Sequence, residues 1–437
     1  MIDASNIRRL DNGMTVIVED RPTVPVVTVD LTFDIGSKHE VDGQRGVAHL
    51  FEHLMFYGSK NVPSGEHMST INSVGGVVNA STGLARTRYF ETIPTRALRR
   101  ALWLEADRVA TLAEGINAEA LRTQIDVVRN EAKQRYARPY GGIFERALEE
   151  LFPVGHPYRI GPIGLMEDLE ASTVEDMVAF FRRYYTPANA VLTLVGDVRV
   201  EEGFALAQEY FGGIVGAPKP EPLVIDTLPP LANVPTLAVT DTVPNPATYY
   251  MWRTPSIVDD AVPALDIAFA TLWGGASRLQ SRLVRDTGLA LRVQPMSERM
   301  LGNGFQWGGI FLKDESARPE VRAIVTEELT RLAESGPDEV EFEIAGALIE
   351  RAEARSTTDV GERAAALSDA HLAFGDATAA DRAVDRLRAV TPEQVAAAVG
   401  EWLRPESAIV IDWNPAESAA TAGKSADRAA AAVEGSN

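Results

Sequence analysis

Apolar positions near the start of the chain fall in short β-branched stretches. Gly13-Met14-Thr15-Val16-Ile17-Val18 and then Val24 to Phe33 (VPVVTVDLTF) both read as strands. The apolar spacing then becomes helical around 44–57, 64–74, 95–113, 117–137, 141–151 and 173–185. A strand from Ala190 to Val195 follows and ends at Gly196-Asp197. Strands and helices mixed in this way predict an α/β or α+β fold. Residues 216–235 (GAPKPEPLVIDTLPPLANVP) are rich in proline and are expected to form a linker. The chain then divides into an N-terminal domain over 1–215, this linker and a second α/β-like domain over 236–415. The Ala-, Ser- and Gly-rich tail, 416–437, has no aromatic residue and is expected to be disordered.

The second half repeats the pattern of the first. Thr173-Val174-Glu175 opens a helix that leads to Thr186-Pro187-Ala188-Asn189-Ala190-Val191-Leu192. Thr391-Pro392-Glu393 opens another that leads to Arg404-Pro405-Glu406-Ser407-Ala408-Ile409-Val410, at a constant offset of 218 residues. The Thr-x-Glu start, the later proline and the apolar strand align without a gap. A period of this size means two similar domains, since solenoid repeats are much shorter.

Composition narrows the function classes. With 437 residues and 45% hydrophobic side chains, the chain is long enough for two to four domain-sized units. The 62 acidic side chains outnumber the 42 basic ones, for a net charge of −20. That balance argues against nucleic acid or an anionic membrane as a partner, because both need clustered Lys and Arg. It is compatible with a site that attracts basic peptides. There are no cysteines, so any metal must rest on histidine and carboxylate ligands. The opening MIDASNIRRLDNG has no apolar signal region, and no apolar run is long enough to span a bilayer. A soluble bacterial protein without membrane insertion is expected, cytoplasmic if the chain is complete and periplasmic if a signal peptide has been removed. The glycine pairs at 75–76 and 274–275 lack a phosphate-loop pattern, so nucleotide binding is not expected.

The chemistry concentrates in one short segment. Of six histidines, His49 and His53 lie four apart in Gly46-Val47-Ala48-His49-Leu50-Phe51-Glu52-His53-Leu54-Met55-Phe56. On a helix these positions share a face, so both imidazoles reach one ion, and Glu52 lies beside the same point. Two imidazoles and a carboxylate match a catalytic zinc site that lacks its third ligand. The same three residue types also recur by chance as partly exposed groups on amphipathic helices. Here Val47, Leu50, Phe51, Leu54 and Met55 make the helix strongly apolar, so polar groups at 49, 52 and 53 need a partner if buried. The third ligand should be a carboxylate on a second helix. Residues 117–137 supply one, but spacing alone does not separate Glu131 from Glu119.

These motifs together resemble the pitrilysin (insulinase) family of metallopeptidases. The resemblance rests on HLFEH, the inverted form of the HExxH zinc motif, and on Val128-Arg129-Asn130-Glu131 about 80 residues later. Arg138-Pro139-Tyr140-Gly141 follows, and Asn79-Ala80-Ser81-Thr82 stands after Gly75-Gly76. Gly155-His156-Pro157-Tyr158 with Gly161 and Gly164 completes the set. The likeness extends over roughly residues 5–415. It is to the short members with two homologous domains, such as bacterial processing-protease-like subunits and the β subunit of the mitochondrial processing peptidase. The resemblance implies an α+β fold of two homologous α/β-type domains, each with a mainly antiparallel sheet and packed helices, assembled as a clamshell dimer. It implies an endopeptidase with Zn²⁺ on His49, His53 and Glu131, and Glu52 as the catalytic base that activates water. It also implies that Gly75 to Ser81 form an edge strand whose Asn79, Ala80 and Ser81 bind an extended peptide substrate.

Two departures from the family pattern stand out. Gln124 occupies a position, seven residues before Glu131, where the family often has a second glutamate. It is expected to tune the metal site through hydrogen bonding. In the second half, Gly274 to Leu279 and Gly288-Leu289-Ala290 resemble a signature that normally carries an arginine and, seven residues later, a tyrosine that hold substrate. This chain has Val284 and Leu291 there, and Arg285 is turned by about 100° on a helix. The zinc motif is intact and this pair is lost, so a heterodimer is predicted, with a homologous non-zinc subunit supplying the pair. A self-sufficient homodimeric peptidase is the competing reading. A non-catalytic core subunit and a zinc-carrying peptide-binding protein are the others.

Overall fold

The computed structural model describes residues 2–416, apart from Asn233 and Pro235 and the side chain of Ser356. The predicted disordered tail lies, from 417 onward, outside the described residues. In the first half the chain forms β1 (Ile7–Arg9), β2 (Thr15–Asp20), β3 (Val26–Phe33), α1 (Val47–Tyr57), α2 (Glu66–Ser73), β4 (Val77–Thr82) and β5 (Thr87–Pro94). Next come α3 (Leu98–Gly115), α4 (Ala118–Tyr136), α5 (Ile143–Leu151), α6 (Met166–Ala171), α7 (Val174–Tyr184), β6 (Ala190–Gly196) and α8 (Val200–Phe211). The second half holds β7 (Thr236–Asp241), β8 (Ala247–Thr254), α9 (Val262–Trp273), β9 (Ala290–Glu298), β10 (Gly304–Leu312), α10 (Arg318–Ser335) and α11 (Glu339–Thr358). It ends with α12 (Val360–Phe374), α13 (Ala383–Arg388), α14 (Pro392–Trp402) and β11 (Ile409–Pro415).

Two sheets result, in the orders β1-β2-β6-β3-β5-β4 and β7-β11-β8-β10-β9. Only β2 with β6 and β7 with β11 pair in parallel, and the other pairs are antiparallel. The same order and sense in both sheets is what a duplicated sequence should produce. The repeat at offset 218 extends to hydrogen-bonding detail. Thr173 and Thr391 each cap a helix in a capping box, with Asp176 and Gln394 as reciprocal partners. Beyond those helices, Asn189 Nδ2 donates to the Tyr184 carbonyl and Ser407 Oγ to the Trp402 carbonyl, at equivalent positions.

Each half lends a helix to the other. On one face of the first sheet, Val27, Val29, Leu31 and Phe33 of β3 join the side chains of α1, α3, α7 and α8 in a continuous core. On the other face β3 carries Thr28, Asp30 and Thr32, which are buried as well. What covers them is α12 of the second half: Ser368 Oγ donates to Asp30 at 2.9 Å, and Arg363 Nε to Glu19 at 2.7 Å. In return α5 packs on the second sheet, where Leu148, Leu151 and Phe152 meet Met251, Phe305 and Ile411. The buried polar stripe on β3 is therefore satisfied across the two halves, as desolvated hydrogen-bonding groups require.

The proline-rich stretch between α8 and β7 has no regular element among its described residues. It is nonetheless pinned to the second half: Leu228 N donates to Asn303 Oδ1 at 2.7 Å and Thr227 Oγ1 to the Gly302 carbonyl at 2.8 Å. Its Ile225, Leu228 and Leu231 pack against the core around β8 and β10. In the first half the sequence periodicity missed β1, β5, α6 and α8, and it started β2 and β3 two residues early. Among the described residues, no helix is long and apolar enough to cross a membrane.

Candidate metal centre

Helix α1 presents Val47, Leu50, Phe51, Leu54 and Met55 to the core, all buried. With that stripe fixed inward, His49, Glu52 and His53 run along the side that meets α4. The start of α1 is set by two unusual contacts. Glu40, buried in the preceding loop, accepts from the backbone N–H of Gly46 at 2.8 Å and of Ala48 at 2.7 Å. It thus fills the place of an N-cap side chain that Gly46 lacks. Burial pushes the Glu40 carboxyl up to about 8, against the pull of those N–H groups and of Arg45.

The second contact comes from the Gly161–Gly164 loop. Leu165 N donates to the Arg45 carbonyl at 3.2 Å, and Gly164 sits at φ +68°, where a Cβ would lie 2.2 Å from the Gly46 nitrogen. Gly164→Ala should therefore displace the first turn of α1. It is expected to cost about 2–3 kcal/mol of stability, from positive φ and overpacking together, in a urea titration. Metal content should fall with it, because His49 stands in that turn's register.

Helix α4 begins at Asn117, whose side chain accepts from the N–H groups of Glu119 and Ala120, both at 3.0 Å. Glu119 is thereby confined to the first turn. Leu121, Ile125, Val128 and Ala132 bury one stripe of α4, and Glu131 beside it reaches α1. Its Oε2 lies 3.5 Å from His49 Nε2 and 3.5 Å from His53 Nε2. All three ligand atoms fall within 4.8 Å of one another.

These residues fit a divalent ion. Ligands at about 2.0–2.1 Å from a tetrahedral zinc stand about 3.4 Å apart, close to the spacing here. His53 Nε2 is buried without a hydrogen-bond partner among the described residues, a cost that a metal bond would remove. Burial, together with neighbouring His53 and Arg135, holds His49 down to about 4 despite the attraction of Glu131. Its imidazole is therefore neutral at pH 7, the form that ligates.

Glu52 lines the same cleft of about 340 Å³, together with His49, Ala80, Ser81, Thr82, Glu131, Arg135 and Glu298. Burial raises its carboxyl, with Thr82 and His53 pulling the other way. A carboxylate raised toward neutrality is suited to taking and returning a proton. Strand β4 is the outer edge of its sheet and pairs only with β5, so its far side lies open to a further strand beside the cleft. Of the three predicted substrate residues, Ala80 and Ser81 line the cleft. Asn79 is exposed one position away, its Oδ1 accepting from Ala80 N at 2.9 Å. Gln124 stands two turns before Glu131 on α4, and no hydrogen bond joins it to His49, His53 or Glu131 among the described residues.

The far end of α1 is braced by a buried ionic cluster that the sequence did not disclose. Arg108 forks onto Glu105 at 2.5–2.8 Å and lies over the rings of Phe56 and Tyr89, while the Tyr89 hydroxyl donates to the Phe51 carbonyl. His67 stands 3.4 Å from Glu91 and 3.7 Å from Glu105. These three could also gather around a metal, but the guanidinium already occupies the Glu105 oxygens and serves as the cation. Only the i, i+3 spacing of Glu105 and Arg108 hinted at this cluster; His67 and Glu91 arrive from other elements.

Known proteins share both the motifs and the fold. A family model described as insulinase (peptidase family M16) matches residues 15–151, and one described as the peptidase M16 inactive domain matches 171–347. The zinc protease PqqE of Helicobacter pylori is 34% identical over 204 residues, 46% of this chain and 45% of that protein. The chain thus spans about half the length of the first curated relatives it matches. An uncharacterized zinc protease of Mycobacterium leprae is 27% identical over 397 residues, covering 88% of this chain and 86% of its own. The crystal structure of a protease from Helicobacter pylori superposes with a TM-score of 0.85 at 25% identity. It covers 94% of this chain and 99% of that one.

Proposed function

The chain belongs to peptidase family M16, as a short two-domain member, and from that premise we propose that it is a zinc-dependent endopeptidase for oligopeptides or unfolded segments. The observation that carries this reading is the convergence of His49, His53 and Glu131 from two helices, with Glu52 one position from His53 in the same cleft. His49, His53 and Glu131 would hold the ion. Bound there, zinc would polarise a carbonyl and acidify a water molecule. Glu52 takes the proton from the attacking water and returns it to the amide nitrogen as the peptide bond breaks. The free edge of β4 holds the substrate extended by main-chain pairing, which makes little demand on its sequence.

Val284 and Leu291 bear on the assembly. Val284 sits in a π-helical turn, Gln280–Asp286, and packs against the second core. Leu291 is exposed near the start of β9. Neither lines the catalytic cleft. The arginine and tyrosine are thus missing at their own positions, which supports a heterodimer with a homologous subunit that lacks zinc. A non-catalytic role finds some support in the inactive-domain match. That match covers 171–347 and leaves α1 and α4 outside it.

The test is hydrolysis of an unstructured peptide with zinc quantified, by the chain alone and then with a homologous partner. Chelator-sensitive activity that appears or rises at least tenfold in the mixture is expected. Full activity of the chain alone would overturn the split site, and none in either state despite bound zinc would overturn the peptidase reading.

A further inference from the structure

The turn between α4 and α5 is strained, and both helices that it joins supply residues to the cleft. Tyr140, in that turn, has φ +61° and is the one non-glycine residue at positive φ among the described residues. A residue with a Cβ is disfavoured there and persists only where its surroundings fix it. Gly141 is constrained as well, since a Cβ on it would overlap the Arg135 carbonyl oxygen. The chain therefore folds back directly onto the end of α4.

What fixes Tyr140 lies in the other half of the chain. Its hydroxyl donates to the Asn245 carbonyl at 2.6 Å, and its buried ring packs against Tyr249, Phe311 and Trp413. Those three rings come from β8, β10 and β11, which are adjacent strands of the second sheet. Arg135 before the turn and Phe144 after it both line the cleft, whereas Tyr140 does not. Across the turn Arg135 lies 3.4 Å from Glu145 and 5.6 Å over the Phe144 ring. Phe144 in turn meets Phe305 and Trp307 of β10 edge-on. This wall of the cleft is therefore located by where one strained turn docks on the second sheet. His49 and His53 are located instead by the core of the first half, and Glu131 by the buried stripe of α4.

We propose that Tyr140 is a positioning residue for the peptide substrate. Docked on the second sheet, it sets how far Arg135 and Phe144 stand from the metal ligands, and so how closely the cleft fits a bound peptide. This inference rests on the peptidase reading and adds to it a residue that touches neither the metal nor the substrate. The aromatic contacts and the hydroxyl hydrogen bond offset the cost of the left-handed backbone. In exchange the wall is held rigid, which a binding cleft needs if its side chains are to meet a peptide in one geometry.

Binding of an unstructured fluorescent peptide to the full-length Glu52→Gln protein, with the homologous partner added if hydrolysis needs it, tests this without relying on turnover. Tyr140→Leu keeps an apolar side chain at the anchor but neither completes the ring cluster nor reaches Asn245. It should weaken peptide binding roughly tenfold, as a wall displaced by about 1 Å would, with zinc affinity unchanged. Tyr140→Phe keeps the ring and should restore most of the peptide affinity. Tyr140→Gly accepts the positive φ but removes the anchor, and it should bind peptide as weakly as Tyr140→Leu. If Tyr140→Gly does not fold, Tyr140→Leu decides alone, measured well below its melting temperature. A merely structural role would lower that temperature and leave peptide affinity at the parental value, which would overturn the proposal. Equal losses of zinc and peptide affinity would overturn it too, because they would mark a general loosening of the fold. If binding responds as expected but the unsubstituted protein hydrolyses nothing, the peptidase reading fails while the role of Tyr140 stands.

Discussion

Glu52→Gln is expected to reduce peptide hydrolysis by on the order of 10²–10⁴-fold while leaving zinc content unchanged. The substitution keeps the size of the side chain and a hydrogen-bonding head, but an amide does not accept a proton from water at neutral pH. None of the three proposed ligand atoms belongs to Glu52, and the apolar stripe that seats α1 is untouched. Zinc per chain and melting temperature should therefore match the parent. Initial rates on a quenched fluorescent peptide, with zinc measured on the same samples, give the answer. Near-parental hydrolysis would show that the base is another group, and loss of zinc would show that Glu52 helps hold the ion.

The second large effect is the removal of a ligand. Glu131→Gln exchanges the one anionic donor for a weak neutral one, 3.5 Å from both imidazole nitrogens. Metal affinity should fall by at least about a hundredfold, the upper end of what changes outside the ligand shell cost. Hydrolysis should disappear at ordinary zinc concentrations and return in part with excess zinc. Competition titration with a chromophoric chelator measures the first, and rates against added zinc the second. Acidification adds a check on sign. Metal binding requires neutral imidazole, and burial keeps His49 neutral down to about pH 4. Proton competition at that nitrogen should set in only near pH 4, well below the ordinary histidine range. An affinity unaffected by Glu131→Gln would exclude Glu131 from the ligand set.

Much of this site was legible because its strongest signals are local. His49, Glu52 and His53 share one helix, so helical geometry alone puts them on one side of α1. The periodicity that seats the helix in the core is in the same eleven residues. The capping residues at Thr173 and Thr391, and the proline and strand that follow each, are also short-range patterns. They disclosed the duplication before any sheet was visible. Strands were harder. β5 alternates buried and half-buried positions beneath a covering helix, and its Arg88 and Glu91 interrupt the apolar run, so it did not read as a strand.

By itself, the sequence determined the duplicated α+β architecture, the metal-ready face of α1 and the residue types available for catalysis, because these depend on spacings of a few residues. Spacing alone did not separate Glu119 from Glu131; the family resemblance pointed to Glu131, and the tertiary structure brings its carboxylate to 3.5 Å from both imidazoles. Asn117 caps α4 at one end and α1 crosses at the other, and nothing in the local pattern of α4 reports where another helix will cross. The same holds for the buried polar face of β3, which α12 satisfies from more than 300 residues away. Glu298 also reaches the cleft from the opposite half, through a sheet register that is a long-range property of the chain. Side-chain period follows from backbone geometry, whereas convergence from distant elements follows from how the two halves pack. The packing alone places a carboxylate from β9 beside the candidate metal ligands of α1 and α4.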